Sequence, residues 1–300
     1  MLNYMLIILL LLFTGTLAEE FAVTREYTDY LKQHVDWEVV DYEDNIFRGW
    51  TLSELQALTS KEPLDFGEPL PIVEPSTSLP RSFYQDPAYI HEARLQGGCS
   101  SGWIFAVAGM LSDRCYQYTG VDHGWLSVQE LISCDAETAC HDEYASSTIT
   151  YVNEHGLVAE SCLPYTQAAG ECPIQCVDGS NWASSHVCKC EEAEQCIGVD
   201  GMKTCLTQSG TITAAMSIDR PFYSYSSGIY KCQGRSTGFI YVDIVAYNED
   251  PECYWVARNS WGTSWGQNGM FHIACDTCGI AGTYTNTNVR CKSIESSTKY

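Results

Sequence analysis

Apolar residues in the first fifth of the chain recur at helical spacing in only two short runs. TREYTDYLKQHV (24–35) and TLSELQALTS (51–60) each predict an amphipathic helix. Between Lys61 and Pro80 the pattern stops: KEPLDFGEPLPIVEPSTSLP has five prolines and no period, which predicts an extended linker and a domain boundary near Pro80. Beyond it, GWIFAVAGMLSDRCYQYTG (102–120) is apolar on nearly every face, the pattern of a buried helix. Ser100 or Ser101 is placed to cap its start. SVQELISC and SSTITYVNEHG predict two further helices.

The last third reads differently. TITAAMSI, GIYKC, IYVDIVAYN, CYWVARNSW and GMFHIAC are short β-branched and aromatic runs broken by turn residues. Helices first and strands second predict an α+β protein of two lobes: a helical N-terminal lobe (about 80–195) and an antiparallel, barrel-like C-terminal lobe (about 196–300). The cleft between such lobes is the expected place for a site.

The chain opens with MLNYMLIILLLLFTGTLA, whose apolar stretch falls short of the ~20 residues a membrane span needs. Residues 1–18 therefore read as a secretory signal, and no later run is apolar enough to span. Residues 19–79 read as a separate acidic segment with its linker. Sixteen cysteines, all at or after Cys99, predict a disulfide framework in an oxidising lumen, extracellular or lysosome-like. Zinc at CPIQC (172–176) or VCKC (187–190), and a redox pair at CDTC (275–278), are the alternatives the spacing leaves open; the reading adopted has no metal and no cofactor. A net charge of −22 argues against nucleic acid as a partner and against anionic membrane surfaces. The expected partner is a peptide or protein ligand, bound by a monomer.

Two long runs carry a resemblance. QGGCSSGWIFAVAG (96–109) is similar to the papain-like segment QGSCGSCWAFS, and NSWGTSWGQNGMF (259–271) resembles that family's NSWGxxWGxxGYF signature. LPRSF, LSDRC and SCLPY are similar to cathepsin B segments, and SGTITAAMSIDRPFYSYSSGIY runs parallel to a further family stretch. The resemblance covers about residues 80–290 and implies the papain-like two-lobe fold, with 19–79 as a short propeptide.

The family's chemistry needs a thiolate at the start of a buried helix, an imidazole facing it, an Asn that orients the imidazole, and an oxyanion-stabilising Gln. Carried over by position, the Gln matches Gln96, the Asn matches Asn259, and the indole that shields it matches Trp261. The nucleophile position falls on Gly102. In IYVDIVAYN the base position falls on Ile240. Neither residue can attack a carbonyl or carry a proton, so the resemblance implies a homologue without peptidase activity. The family's CNGG, which pairs with extended substrate, aligns with Cys140, His141, Asp142 and Glu143, so the groove is expected to be crowded and acidic. The resemblance further implies the pairs Cys99–Cys140, Cys134–Cys172 and Cys232–Cys278; Cys253 and Cys275 are placed where they could bridge the strands YWVARN and MFHIA. The region that would hold cathepsin B's paired histidines, residues 172–190, has only His186.

Two substitutes for the lost nucleophile and one for the lost base can be named. GCSSG (98–102) matches G-x-S-x-G, a nucleophile elbow centred on Ser100, but that motif needs a preceding strand, and AYIHEARLQ does not read as one. Ser101 is one residue off, a rotation of ~100° on a helix. His141 could supply a base from another direction. These define an unusual hydrolase as the alternative to a binding or regulatory protein. A disulfide-rich structural or surface protein is the third reading.

Overall fold

The computed structural model describes residues 20–61, 70–135, 140, 145–282 and 288–296. The signal-like residues 1–18, and His141, Asp142 and Glu143, lie outside the described residues.

Both N-terminal helices form where the periodicity places them. Helix α1 (Arg25–His34) is capped by Thr24, whose hydroxyl accepts from Tyr27 N–H. Helix α2 (Leu52–Gln56) starts on a capping box between Thr51 and Glu54. Strand β1 (Glu38–Val39) lies between them. The described part of the linker, 70–80, has no helix or strand; Val73 N–H donates to Gln195 O at 2.9 Å, and Gln195 N–H donates to Pro71 O at 2.8 Å.

Helix α3 (Gly102–Thr119) is buried without interruption from Trp103 to Cys115, as expected of a helix apolar on all sides. The capping expectation needs correction. Ser101 occupies the N-cap position, but its side chain makes no cap bond. Its hydroxyl is turned instead toward Cys99 O at 3.3 Å and Tyr165 Oη at 3.1 Å. Helices α4 (Val128–Cys134) and α5 (Ala145–Glu154) follow, then the short strand β3 (Leu157–Val158).

Two elements in the region between the lobes had no counterpart in the pattern reading. Strand β4 (His186–Gln195) emerges from the cysteine-rich loop, and helix α6 (Gly198–Ser209) follows it. The expected strands then appear as β5 (Ile212–Asp219), β7 (Ile229–Tyr230), β8 (Ser236–Asn248), β9 (Tyr254–Arg258) and β10 (Met270–Ala274). Strands β2 (Ser82–Tyr84), β6 (Tyr225–Ser227) and β11 (Val289–Ser296) complete the set. The main sheet runs β3-β4-β11-β5-β8-β9-β10-β7, with β2 also on β8. Among the described strands this path does not close into a barrel, and β10–β7 is a parallel pair in an otherwise antiparallel sheet.

Strand β11 pairs along most of its length with β4 and packs into the helical half. The last strand therefore returns across the expected lobe boundary. Two large apolar clusters result. One joins α3, α4 and α5 to β4 and β11. The other joins the β half to the N-terminal segment through Ala22, Val23, Leu31, Trp37, Val39, Phe47, Leu55 and Leu58.

All sixteen cysteines are paired. The structure forms Cys99–Cys140, Cys134–Cys172, Cys232–Cys278 and Cys253–Cys275. Cys115–Cys188, Cys162–Cys176, Cys190–Cys291 and Cys196–Cys205 complete the framework. Paired cysteines hold no free thiolate for zinc, which accounts for CPIQC and VCKC, while Cys275 and Cys278 bond to separate partners and not to each other.

Candidate functional site

The segment before α3 and the loop after β9 meet at the junction of the two halves. Gln96 N–H donates to Ser260 O at 2.8 Å, and the Ser260 hydroxyl donates back to Gln96 Oε1 at 2.6 Å. Gly102 starts α3 beside them. A Cβ built on Gly102 would lie 3.4 Å from Gln96 Oε1 and 3.8 Å from Ser260 Oγ. Those are ordinary contacts, so the space does not demand glycine at this position.

The N-terminal segment crosses the same place. Gln96 Nε2 donates to Leu58 O at 3.1 Å and to Cys99 O at 3.1 Å. Two residues on, Ser60 and Phe239 exchange both backbone hydrogen bonds, at 2.9 and 2.8 Å. Thr59 lies between them, where its hydroxyl fills the space that a Cβ at Gly238 would need. Residues 57–59 turn out of α2, with Leu58 N–H on Leu55 O and Thr59 N–H on Gln56 O, and Ser60 then makes a single antiparallel bridge with Phe239, so a turn and one bridged residue cross the site. Ile240 follows Phe239, is buried, and belongs to the same apolar cluster as Leu58 and Trp261. Phe47 packs edge-on against Trp261 at 5.2 Å. Beside the crossing, a cleft of about 570 Å³ is lined jointly by Ile46, Phe47 and Trp50 of the segment and by Leu95, Gln96 and Trp261.

Gln96 and Asn259 behave differently. Gln96 satisfies buried backbone, as its amide geometry allows. Asn259 Oδ1 accepts from Ser260 N–H at 2.8 Å, but its Nδ2 is buried with no hydrogen-bond partner among the described residues. Trp261 is buried beside it.

The substitute nucleophiles are placed as follows. Ser101 is fully buried. Ser100 is half-buried, and no strand leads into it; an isolated bridge between Leu95 and Trp261 is the local pairing. The strand-to-helix turn of a nucleophile elbow is therefore not formed. His186 starts β4 and bonds Glu130 Oε1 at 2.7 Å, and that bond holds its pKa above the usual histidine value. Among the described residues no group of three or more His, Cys, Asp and Glu could hold a metal ion, and no helix is long and apolar enough to cross a membrane.

Pattern reading missed a buried ionic cluster under the site. Arg258, next to Asn259, bonds Asp243 Oδ2 at 2.6 Å and Asp113 Oδ2 at 2.9 Å, and donates to His91 O at 2.7 Å. His91 Nδ1 bonds Asp113 Oδ1 at 2.9 Å, and its Nε2 bonds Asp122 Oδ1 at 3.2 Å. Burial pushes the Asp243 carboxyl up to about 7 against the opposing charge of Arg258. Burial pulls the His91 imidazole down, but Asp113 and Asp122 outweigh it and leave its pKa raised. The available signal was a charge inside each apolar strand: Asp243 in IYVDIVAYN and Arg258 in CYWVARNSW. Helix α3 makes room with Gly109, where a Cβ would come within 2.3 Å of Asp243 Oδ2.

Comparison with known proteins matches residues 79–287 to the papain family cysteine proteases. The chain belongs to that family. A cathepsin B-like protein, CP3 of Giardia intestinalis, is 34% identical over 223 residues, spanning 68% of this chain and 73% of the relative. Cathepsin B-like CP2 of the same organism is 30% identical over 208 residues, spanning 65% of this chain and 69% of the relative. Among solved structures, procathepsin B S9 of Trypanosoma congolense superposes with a TM-score of 0.79 at 22% identity, covering 92% of this chain and 99% of that one. A digestive procathepsin L2 from the larval midgut of Tenebrio molitor gives 0.72 at 25%, covering 88% and 87%. This cathepsin B-like chain shares the papain-like fold with these precursors.

Proposed function

We propose that this papain-family chain is a non-peptidase that holds a peptide strand in its inter-lobe cleft, in a binding or regulatory role. One observation carries the reading: the groups that grip a peptide are engaged while the reacting positions hold no reacting group. The Gln96 amide donates to Leu58 O, and Phe239 pairs with Ser60. Gly102 and Ile240 stand where the family resemblance puts nucleophile and base. The occupant is the chain's own segment, 58–60, and an outside ligand would be a peptide offering the same backbone groups, a carbonyl to the Gln96 amide and an N–H and C=O to Phe239. Residues 19–79 would act as a retained propeptide, because no self-cleavage is available to remove them. The setting is a lysosome-like or extracellular lumen, and the working unit is a monomer. His141, Asp142 and Glu143 would add negative charge to the groove.

The test is hydrolysis of a mixed peptide library by the purified chain, intact and after limited proteolysis between Lys61 and Leu70. Ser100→Ala and Ser101→Ala variants are run beside it. No turnover above buffer is expected in either form, and saturable peptide binding by the nicked form is expected as far as the peptide displaces residues 58–60, whose flank stays anchored in the β core. Turnover that disappears in one serine variant, or on substituting His141, would establish the hydrolase instead. Absence of both turnover and peptide binding would favour a structural or surface role. N-terminal sequencing of the native protein is expected to find the acidic segment still attached.

A further inference from the structure

The ionic cluster and the site share a small cavity. Among its lining residues four polar side chains matter: Arg94, Asp243, Arg258 and Asn259. The space open to a water's centre is about 10 Å³, roughly what one water needs. Three buried polar atoms of these lining residues have no hydrogen-bond partner among the described residues: Asp243 Oδ1, Asn259 Nδ2 and Arg94 Nη1. Asp243 and Asn259 are each 3% exposed. An unpaired buried polar group costs about 1–3 kcal/mol, so three around one cavity point to a shared partner.

The chemistry of the three atoms selects that partner. Asn259 is fixed in orientation, because its Oδ1 accepts from Ser260 N–H, which leaves Nδ2 as a donor toward the cavity side. Arg94 donates, and the Asp243 carboxylate, the form present as pH rises past about 7, accepts. A water satisfies all three, accepting two hydrogen bonds and donating one. A cation would face Arg94 and Arg258. An anion would face Asp243 and, behind it, Asp113.

We propose that this cavity binds a single water molecule, which joins Asp243 to Asn259 and Arg94 and completes a hydrogen-bonded chain from the buried ionic cluster to the peptide in the cleft. Beyond the water the chain is continuous. Asn259 Oδ1 takes Ser260 N–H, Ser260 Oγ donates to Gln96 Oε1, and Gln96 Nε2 donates to Leu58 O. The water gives the Asn259 amide a partner, and so holds the peptide-gripping groups in place. Asn259 is in this sense a positioning residue. The role rests on the proposed peptide-holding function; the water site does not.

The test is a crystal structure of the full chain at a resolution that shows waters. A peak within about 3.2 Å of all three atoms is expected. A dry cavity, a direct Asp243–Asn259 contact or an ion in the density overturns the site. This result does not depend on whether the library assay finds turnover, so the two proposals fail separately. The positioning role is read from amide hydrogen exchange at Ser60 and Phe239 in Asn259→Leu. Exchange is expected to quicken roughly tenfold, the size of one lost hydrogen bond, while the thermal midpoint of the helical half stays in place. Unchanged exchange in the folded variant sinks the role. Should the variant not fold, slow exchange of the Asn259 side-chain amide protons in the wild-type chain decides it, and fast exchange there counts against the water.

Discussion

The two halves close their cores by means that coincide only in part. Disulfides staple both: Cys99–Cys140, Cys115–Cys188 and Cys190–Cys291 contribute buried sulfurs to the helical cluster, and Cys196–Cys205, Cys232–Cys278 and Cys253–Cys275 contribute theirs to the β cluster. The β half adds a second means: it is also closed by the N-terminal segment, which adds Leu31, Trp37, Phe47, Leu55 and Leu58 to a core rich in Tyr, Trp and Phe. Backbone and ion-pair contacts reinforce that attachment. Strand β1 pairs with β6, and Arg220 binds Glu20 while its guanidinium lies over Tyr27 at 4.2 Å. A segment built this deeply into a core acts as part of the fold as well as an occupant of the cleft.

Removing residues 20–61 should break the comparison most severely. The truncated chain is expected to lose its cooperative thermal transition or to aggregate, because a broad aromatic surface is opened to water. A truncated chain that melts cooperatively near the intact midpoint would mean the segment is a detachable ligand. Phe47→Ala is the graded form, with an expected cost of about 3–5 kcal/mol from urea unfolding.

Opening a staple should cost less. Replacing both Cys115 and Cys188 by Ala is expected to destabilise by about 2–4 kcal/mol, with the loss confined to amides of α3 and β4 in hydrogen exchange. Equal loss around Ser60 and Phe239 would show that the halves do not behave separately.

The ionic cluster between the halves sets a pH dependence. The folded pKa of Asp243 is raised from 3.8 to about 7, so between those values the folded state binds more protons than the unfolded one. Its contribution is fully present below the unfolded value and is lost as pH rises through about 7. His91 and His186 are also raised, and their contributions are likewise lost as pH rises through their folded values. The chain should therefore melt higher at pH 5 than at pH 8, and Asp243→Asn should flatten much of the difference. A higher midpoint at pH 8 would contradict the assignment.

The smallest effect is expected at the site itself. Gly102→Ala puts a Cβ into ordinary contact and removes a helix glycine, so stability should rise by no more than about 1 kcal/mol. A large loss would mean that glycine is there for packing.

Much of this was legible in the chain. The helix at 102–119 and the strands from 212 to 274 follow from local period and β-branched content, because those elements bury a face that repeats along the sequence. β4 was hidden, since HVCKCEEAEQ alternates cysteines with charge and its inward face is made of half-cystines. The Gln96, Gly102 and Asn259 neighbourhood followed from two specific runs. The crossing at 58–60 did not, because it uses backbone groups that any sequence supplies.

By itself the sequence determined the element types, the disulfide-rich composition and the identity of the residues at Gln96, Gly102, Ile240 and Asn259. Only the tertiary structure decided that the N-terminal segment closes the β core and that the last strand returns to the helical half. It alone brought Asp113, Asp243 and Arg258, from α3, β8 and β9, into one buried cluster beside Asn259. The reason is physical: local propensity and periodicity act over a few residues, whereas burial and charge pairing act between groups that only folding brings within a few ångströms.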